Sequence, residues 1–147
     1  QTAQDLLDLR VNKPETFWVD TFTHTLNIAG DCNEGGYDTS LVTWKLSAAG
    51  APLMNSETMY QNTTDQVYRA TCKNGRFTLR VDLRDADGNL RTGLRAGSLE
   101  IEHRVEIEIF GVVNDNQGQQ FLESNPAKSP EIVTLQPLCI ATASCGS

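Results

Sequence analysis

A strict alternation of apolar and charged side chains in the segment 98–110 restricts the fold of this chain more than any other feature. Positions of one parity carry Leu99, Ile101, His103, Val105, Ile107 and Ile109. Positions of the other parity carry Glu100, Glu102, Arg104, Glu106 and Glu108. A period of two over about ten residues is typical of a β-strand that is wet on one face, and a helix does not fit it. Burying the charged set without partners costs several kcal/mol per group, so we expect the acidic row to face water.

Most of the remaining chain consists of similar short runs separated by Gly, Asn and Asp. These runs predict strands at 16–22, 24–29, 41–47, 67–72, 76–83, 98–110 and 131–136. About seven strands of this length predict an all-β fold, a two-sheet antiparallel β-sandwich. The pair Asn74-Gly75 lies between two of the runs and predicts a hairpin, because a type I′ turn needs positive φ at both central residues.

The strand predicted at 76–83 alternates with the opposite charge. Its core set is Phe77, Leu79, Val81 and Leu83, and its outward set is Arg76, Thr78, Arg80, Asp82 and Arg84. Arg69 and Lys73 lie nearby in sequence. Direct pairing of the acidic and basic strands would form a ladder of salt bridges. Placement in different sheets, which we favour, would give one acidic and one basic face, an arrangement able to orient neighbouring copies in a fibre.

A length of 147 residues fits one domain. We predict an N-terminal arm or short helix at 1–15, the sandwich at 16–137 and a tail at 138–147 that contains Cys139 and Cys145. The chain begins at Gln1 without an initiator methionine, as a mature secreted or trimmed product does.

A formal charge of −7 argues against nucleic acid and anionic membranes as partners, because both require clustered Lys and Arg. No apolar run approaches the roughly 20 residues that span a bilayer. The four cysteines, Cys32, Cys72, Cys139 and Cys145, lack the C-x-x-C spacing of zinc and thioredoxin sites. They therefore predict disulfides and an oxidising compartment, which means extracellular, cell-surface or periplasmic. Spacing alone leaves three pairings open.

Three elements, "LNIAGDCNEGG" at 26–36, "ATCKNGRFTLRVDL" at 70–83 and "NDNQGQQF" at 114–121, resemble the tandem immunoglobulin-like domains of large bacterial surface and secreted proteins. Those domains pair a strand ending in Gly-x-Cys with a later Thr-Cys-x-x-Gly hairpin and close with an Asp-x-x-Gly turn. The resemblance covers roughly residues 22–136. It implies an immunoglobulin-like sandwich and a role in adhesion or fibre architecture.

The resemblance also implies a disulfide between Cys32 and Cys72, which leaves Cys139 to pair with Cys145. In the chain-entropy account the longer loop stabilises by about 4 kcal/mol and the short loop by about 2. The long 48–66 segment, the long acidic strand, the N-terminal arm and the C-terminal "CIATASCGS" depart from the family pattern. These additions argue against a plain spacer.

The glutamates Glu100, Glu102, Glu106 and Glu108 form a candidate electrostatic surface. A solvated strand face is the preferred interpretation, ahead of a surface for a basic partner and well ahead of a metal site. Side chains two apart on one strand face are about 7 Å apart, too far for two of them to chelate one ion unaided. "DADGNL" at 85–90 lacks the distal ligands of a calcium loop and is interpreted as a turn. We expect no metal and no cofactor.

The aromatic and sulfur side chains Trp18, Tyr37, Met59 and Tyr60 are candidate binding residues, because they do not fall on a predicted buried face. Trp44 and His103 are expected in the core. His24 has no identifiable companion, and with two histidines the chain lacks the parts for zinc hydrolase or Ser-His-Asp chemistry. We therefore expect no enzyme activity.

The preferred hypothesis is a non-catalytic, secreted or surface-displayed binding or structural module for adhesion or a fibre. Its partner would be a protein or glycan on a cell surface, or neighbouring copies of the chain. The irregular segment 48–66 is the predicted contact loop, since long loops in compact domains are often functional. One alternative is a carbohydrate-binding module that uses Tyr37, Tyr60 and Trp18. Another is an enzyme inhibitor or accessory protein.

Overall fold

A computed structural model of the chain describes residues 4–13, 15–19, 25–85, 87 and 102–137. Strands dominate these residues. They are β1 (Asp8–Val11), β2 (Thr16–Val19), β3 (Thr25–Asn33), β4 (Ser40–Ala48), β5 (Ala51–Asn55), β6 (Arg76–Asp82), β7 (His103–Asn114), β8 (Gln120–Glu123) and β9 (Glu131–Pro137). One α-helix, α1, covers Ser56–Thr63, and short 3-10 turns cover Gln4–Leu6 and Gln66–Tyr68.

The strands form two packed sheets, which confirms the predicted all-β sandwich. The smaller sheet has the order β1-β3-β6 and is antiparallel. The larger sheet has the order β2-β9-β7-β4-β5, and β8 also pairs with the far end of β7. The pairing of β2 with β9 is parallel, so the larger sheet is mixed and not purely antiparallel.

Alternation along the strands builds the core, as predicted. In β7 the side chains of His103, Val105, Ile107 and Ile109 are buried, whereas Arg104 and Glu106 are exposed, as is Glu102 just before the strand. The inner side chains of β6, Phe77, Leu79 and Val81, pack into the same core from the smaller sheet. Trp44 of β4 is also buried in this core. The acidic and basic strands lie in different sheets, in agreement with the favoured arrangement.

The segment 48–66 is not an irregular loop. Ala49 and Gly50 both adopt positive φ and turn β4 directly into β5. Asn55 then caps α1, because its side-chain oxygen accepts a hydrogen bond of 2.8 Å from the backbone N–H of Thr58. The helix ends where Thr64 takes a left-handed conformation and donates its N–H to the carbonyl of Tyr60.

The predicted strand at 67–72 is also wrong. Asp65 accepts a hydrogen bond from the N–H of Val67 and starts a 3-10 turn over Gln66–Tyr68. Only one residue of the segment, Ala70, makes a β-bridge, to Val42 of β4. The Asn74-Gly75 turn itself is confirmed, with φ of 55° and 78°.

The predicted N-terminal arm contributes a strand to the smaller sheet. β1 pairs with β3, and the side chains of Leu7, just before the strand, and Val11, its last residue, are buried. The amide of Asn125 fixes this segment by donating to the carbonyls of Asp5 and Leu7 at 2.9 and 3.2 Å. The segment 1–15 is therefore part of the sandwich where the structure describes it.

The disulfide between Cys32 and Cys72 is present, with a Cα–Cα distance of 6.0 Å. Cys32 lies on β3, and the backbone N–H of Cys72 donates to the hydroxyl of Ser40 on β4 at 2.9 Å. The bond therefore connects the smaller sheet to a segment that is held by the larger one. Cys139 and Cys145, and the predicted tail that carries them, lie outside the described residues.

Candidate functional site

An open groove of about 1020 Å³ lies against the acidic row. One wall is the charged outer face at the start of β7, and the other wall is formed by β5 and α1. The side chains that line it include Lys45, Ser47, Pro52, Met54, Thr58, Asn62, Glu102, Arg104 and Glu106. The structure thus brings together two regions that the sequence singled out separately, the acidic strand and the 48–66 segment.

Strand register determines the charge pattern of the first wall. β4 pairs with β7 so that Lys45 lies opposite Glu106 and Ser47 lies opposite Arg104. Cross-strand partners project from the same face of a sheet, so these groups meet at the groove surface. Arg104 also lies 3.7 Å from Glu102, measured between Nε and Oε1. The groove therefore presents two positive and two negative groups, and the acidic row is partly neutralised.

The second wall is firmly attached to the core. The buried hydroxyl of Ser56 accepts a hydrogen bond of 3.0 Å from the N–H of Trp44, and Met59 is only 7% exposed. Arg69 holds the outer side of α1 through an ion pair of 3.1 Å with Glu57 and a contact of 4.4 Å with the ring of Tyr60. Removing 48–66 would therefore expose core side chains, so the segment is a structural element as well as a groove wall.

The predicted glutamates separate into two groups. Glu102 and Glu106 line the groove, whereas Glu108 projects from the same strand face but lies outside it. Glu100 is outside the described residues. Sequence reasoning did not select Lys45, although its exposed position between buried Trp44 and Leu46 carries the same alternating signal.

The four candidate binding residues do not all lie on one element of the structure. Trp18 is 62% exposed on β2, at the opposite edge of the larger sheet from β5 and α1. Tyr60 is half-buried against Arg69, and Met59 belongs to the core. Tyr37 packs over Gly111, where an added Cβ would lie 2.4 Å from its ring. None of the three aromatic side chains lines the groove, whereas the partly accessible side chain of Met59 does.

Tyr37 is held by its own partner. Its hydroxyl donates a hydrogen bond to the carboxylate of Glu123 on β8. This hydrogen bond, together with desolvation and the negative charge of Glu123, raises the pKa of Tyr37 to about 12. The side chain therefore fastens β8 to the sandwich, and its hydroxyl stays protonated at neutral pH.

Asp82 was predicted to face water with the basic row, and this prediction is wrong. Its carboxylate is buried beneath Tyr68, which donates its hydroxyl to Oδ2. Thr25 donates a hydrogen bond of 2.8 Å, and Arg80 contributes an ion pair of 3.0 Å. Burial acts to raise the pKa of Asp82, but hydrogen bonds from Tyr68, Thr25 and Arg80 together with the Arg80 charge outweigh it. The pKa therefore lies below its ordinary value.

Two arginines are exposed on the smaller sheet, with an aspartate between them. Arg76 of β6 and Arg10 of β1 flank Asp31 of β3 in one cross-strand row, and all three are exposed.

His103 is buried in the core as predicted, whereas His24 lies outside the described residues. In "DADGNL" the carboxylate of Asp85 accepts a hydrogen bond from the N–H of Asp87, as in a turn, and most of the remaining motif is not described.

Within the described ranges, no group of three or more His, Cys, Asp and Glu side chains is placed to hold a metal ion. No helix in that same part of the chain is long and apolar enough to cross a bilayer. No protein-family model matches the chain, and no curated protein matches it either.

Proposed function

We propose that this protein is a non-catalytic binding module that works in an oxidising compartment and grips an extended segment of a partner protein in the groove. One observation supports this most strongly: an open groove of about 1020 Å³ has a firmly held wall on each side and charged side chains along one of them. The walls are preorganised, so little conformational entropy is lost when a partner binds.

The chemistry of the groove favours a polypeptide over a sugar. Lys45, Arg104, Glu102 and Glu106 offer charges of both signs, and Pro52 adds an apolar surface. An extended peptide with mixed charges can satisfy all of these groups. Sugar recognition usually adds an aromatic face, and the aromatic candidates lie elsewhere.

The groove holds its charged side chains exposed to water, which suits contact with a partner better than the activation of a nucleophile or a general base. Its described polar lining consists of Lys, Arg, Glu, Ser, Thr and Asn, without histidine, cysteine or aspartate. The carboxylate with the clearest pKa shift, Asp82, is buried in a different part of the molecule and saturated with donors. The Cys32–Cys72 disulfide supports an oxidising location, and adhesion or fibre architecture remains the context that we propose.

Selection of random displayed peptides on the folded protein tests the proposal. Peptides that are enriched would be synthesised and their affinities measured by calorimetry against two matched variants. Glu106→Lys changes the groove, and Glu108→Lys makes the same change on the same strand face outside it. We expect Glu106→Lys to weaken binding about tenfold or more, because it reverses a charge that contacts the peptide. Glu108→Lys should change affinity less than about twofold.

Equal affinity of the peptides for wild type and Glu106→Lys would contradict the proposal, as would failure to enrich any peptide. A glycan array run in parallel addresses the carbohydrate alternative. If glycan binding is lost in Trp18→Ala and retained in Glu106→Lys, the contact surface is the exposed face of β2 and not the groove. Circular dichroism of each variant checks that the fold is intact.

A further inference from the structure

The hairpin of β7 and β8 carries exposed apolar side chains at the end of β7 that is far from the groove. Residues Gly111–Asn114 of β7 pair with β8, so that Val112 faces Leu122 and Val113 faces Phe121. All four residues of β8 are exposed, and Phe121 and Leu122 are each 48% exposed. Apolar side chains of this size are normally covered in a folded protein when they cluster.

Each face of this hairpin carries one apolar cross-strand pair. The pair Val113 and Phe121 continues the inner face of β7, on which Ile107 and Ile109 are 1% and 7% exposed. The inner face is therefore covered along most of β7 and only half covered at Phe121. Val112 and Leu122 project from the other face.

The outer edge of β8 is suited to pairing with another strand. Within the described part of the chain, β8 pairs with β7 and with no other strand. Sheet edges are usually protected by short strands, charged side chains, Pro or a covering element. β8 is short, with four residues, but "QFLE" contains neither Lys nor Pro, and its one charged group, Glu123, already accepts the hydroxyl of Tyr37. Its alternating backbone donors and acceptors can add a strand with little rearrangement.

The hairpin is also rigid, and it uses its own charges internally. Asp115 accepts hydrogen bonds of 2.8 Å from the N–H groups of both Gln117 and Gln119 at the turn. At the base, the carboxylate of Glu123 accepts the hydroxyl of Tyr37. Neither carboxylate therefore requires a basic partner. Which partner can bind at this edge therefore depends on apolar side chains and amide groups.

We propose that β8 pairs antiparallel with β8 of a second copy of this chain, about a twofold axis that passes beside Phe121. In this register Phe121 faces Phe121, Gln120 faces Leu122, and Gln119 faces Glu123. Residues that face each other project from the same side of the joined sheet, and no two like charges are opposed. The apolar side chains and amide groups of one β8 edge can therefore pair with the same groups on a second copy. No charged group on the partner is needed.

This surface is independent of the groove, which lies at the other end of β7. A dimer formed through β8 leaves both grooves open. Each copy carries a formal charge of −7, so repulsion between copies opposes dimerisation at low ionic strength. Added salt should therefore strengthen this dimer, whereas it should weaken peptide binding in the charged groove.

Sedimentation equilibrium of the full chain over a range of protein and salt concentrations tests the proposal. We expect a reversible monomer–dimer equilibrium that shifts toward dimer with salt. Phe121→Glu and Phe121→Lys each oppose like charges across the axis, and each should raise the dimer dissociation constant about tenfold or more. An equimolar mixture of these two variants should dimerise again, because glutamate then faces lysine. Ile132→Glu, which changes an exposed apolar residue on β9, serves as the control and should dimerise like wild type.

Several results would overturn the proposal. Wild type that stays monomeric at every protein and salt concentration excludes the dimer. Single Phe121 variants that associate like wild type exclude this edge, and a mixture that stays monomeric although both variants have native circular dichroism excludes the twofold register. If either charged variant fails to fold, Phe121→Thr keeps the strand propensity and removes the ring, and unchanged association of that variant likewise excludes the edge.

Discussion

Two arginine–carboxylate pairs in this protein have the same spacing in sequence but different surroundings. Arg80 and Asp82 lie two residues apart on β6, and Glu102 and Arg104 lie two residues apart at the start of β7. The first pair is separated by 3.0 Å, and the carboxylate side chain is 3% exposed. The second is separated by 3.7 Å, and the carboxylate side chain is 45% exposed.

Additional partners account for the difference. Tyr68 and Thr25 approach Asp82 from other elements and complete its hydrogen bonds, whereas Glu102 and Arg104 stand at an open groove. A buried charge that loses its partners is strongly destabilising, while an exposed ion pair contributes about 0–1 kcal/mol. Asp82 therefore acts on stability, and the groove charges are available for a partner.

The largest expected effect comes from Asp82→Asn. The substitution keeps the side-chain volume but removes the charge and replaces one acceptor with a donor beside Arg80. We expect the free energy of unfolding to fall by about 3 kcal/mol, measured by urea denaturation. Asp31→Asn on β3 is the matched control, because Asp31 is an exposed aspartate of the same sheet, and it should change stability by less than about 0.5 kcal/mol. Equal effects of the two variants would remove the distinction between the two pairs.

Acid pH should reduce the difference between wild type and Asp82→Asn. The pKa of Asp82 is lowered in the folded protein. The ionised carboxylate therefore contributes its full stabilisation at pH values above the pKa of the unfolded chain, and it contributes none at pH values below the pKa of the folded protein. The unfolded value is about 3.9. As pH falls through this value, the unfolded chain binds a proton that the folded protein does not bind, and stability is lost.

Urea denaturation of both proteins between neutral and strongly acid pH measures this effect. Other carboxylates titrate in both proteins, so the difference between the two curves isolates Asp82. We expect a constant difference above about pH 5 that narrows below about pH 4. A difference that does not change with pH would mean that folding does not shift the pKa of Asp82.

The parts of the fold that were predicted from sequence depend on local signals. Alternation alone assigned the inner and outer faces of β7, because a strand projects successive side chains to opposite sides. Asn74-Gly75 specified its own turn, since both residues tolerate the positive φ that the turn needs.

The wrong predictions for Asp82 and the segment 67–72 arise because the placement of these residues depends on contacts between separate parts of the chain. Asp82 continues an alternating outward set, and Tyr68, 14 residues earlier, helps to cover it. Tyr68 is placed by the cap at Asp65, in a segment whose Val, Tyr, Thr and Cys residues are typical of a strand. The groove was not predicted from the sequence. The outward position of its glutamates follows from alternation, but the facing Lys45 depends on the register of β4 with β7.

The smallest effect is expected for the pair at the groove. Glu102→Gln and Arg104→Gln should each lower the free energy of unfolding by less than about 0.5 kcal/mol, because the side chains of Arg104 and Glu102 are 66% and 45% exposed in the folded protein. Urea denaturation of the two single variants and the double variant gives the coupling energy between the two groups. This coupling should be about 0.3 kcal/mol and should disappear in high salt, which screens exposed charges. A coupling above about 1 kcal/mol that persists in high salt would mean that this pair is a fixed structural contact like Arg80 and Asp82. Glu102 and Arg104 would then bind each other too tightly to exchange this contact for contacts with charged groups of a partner.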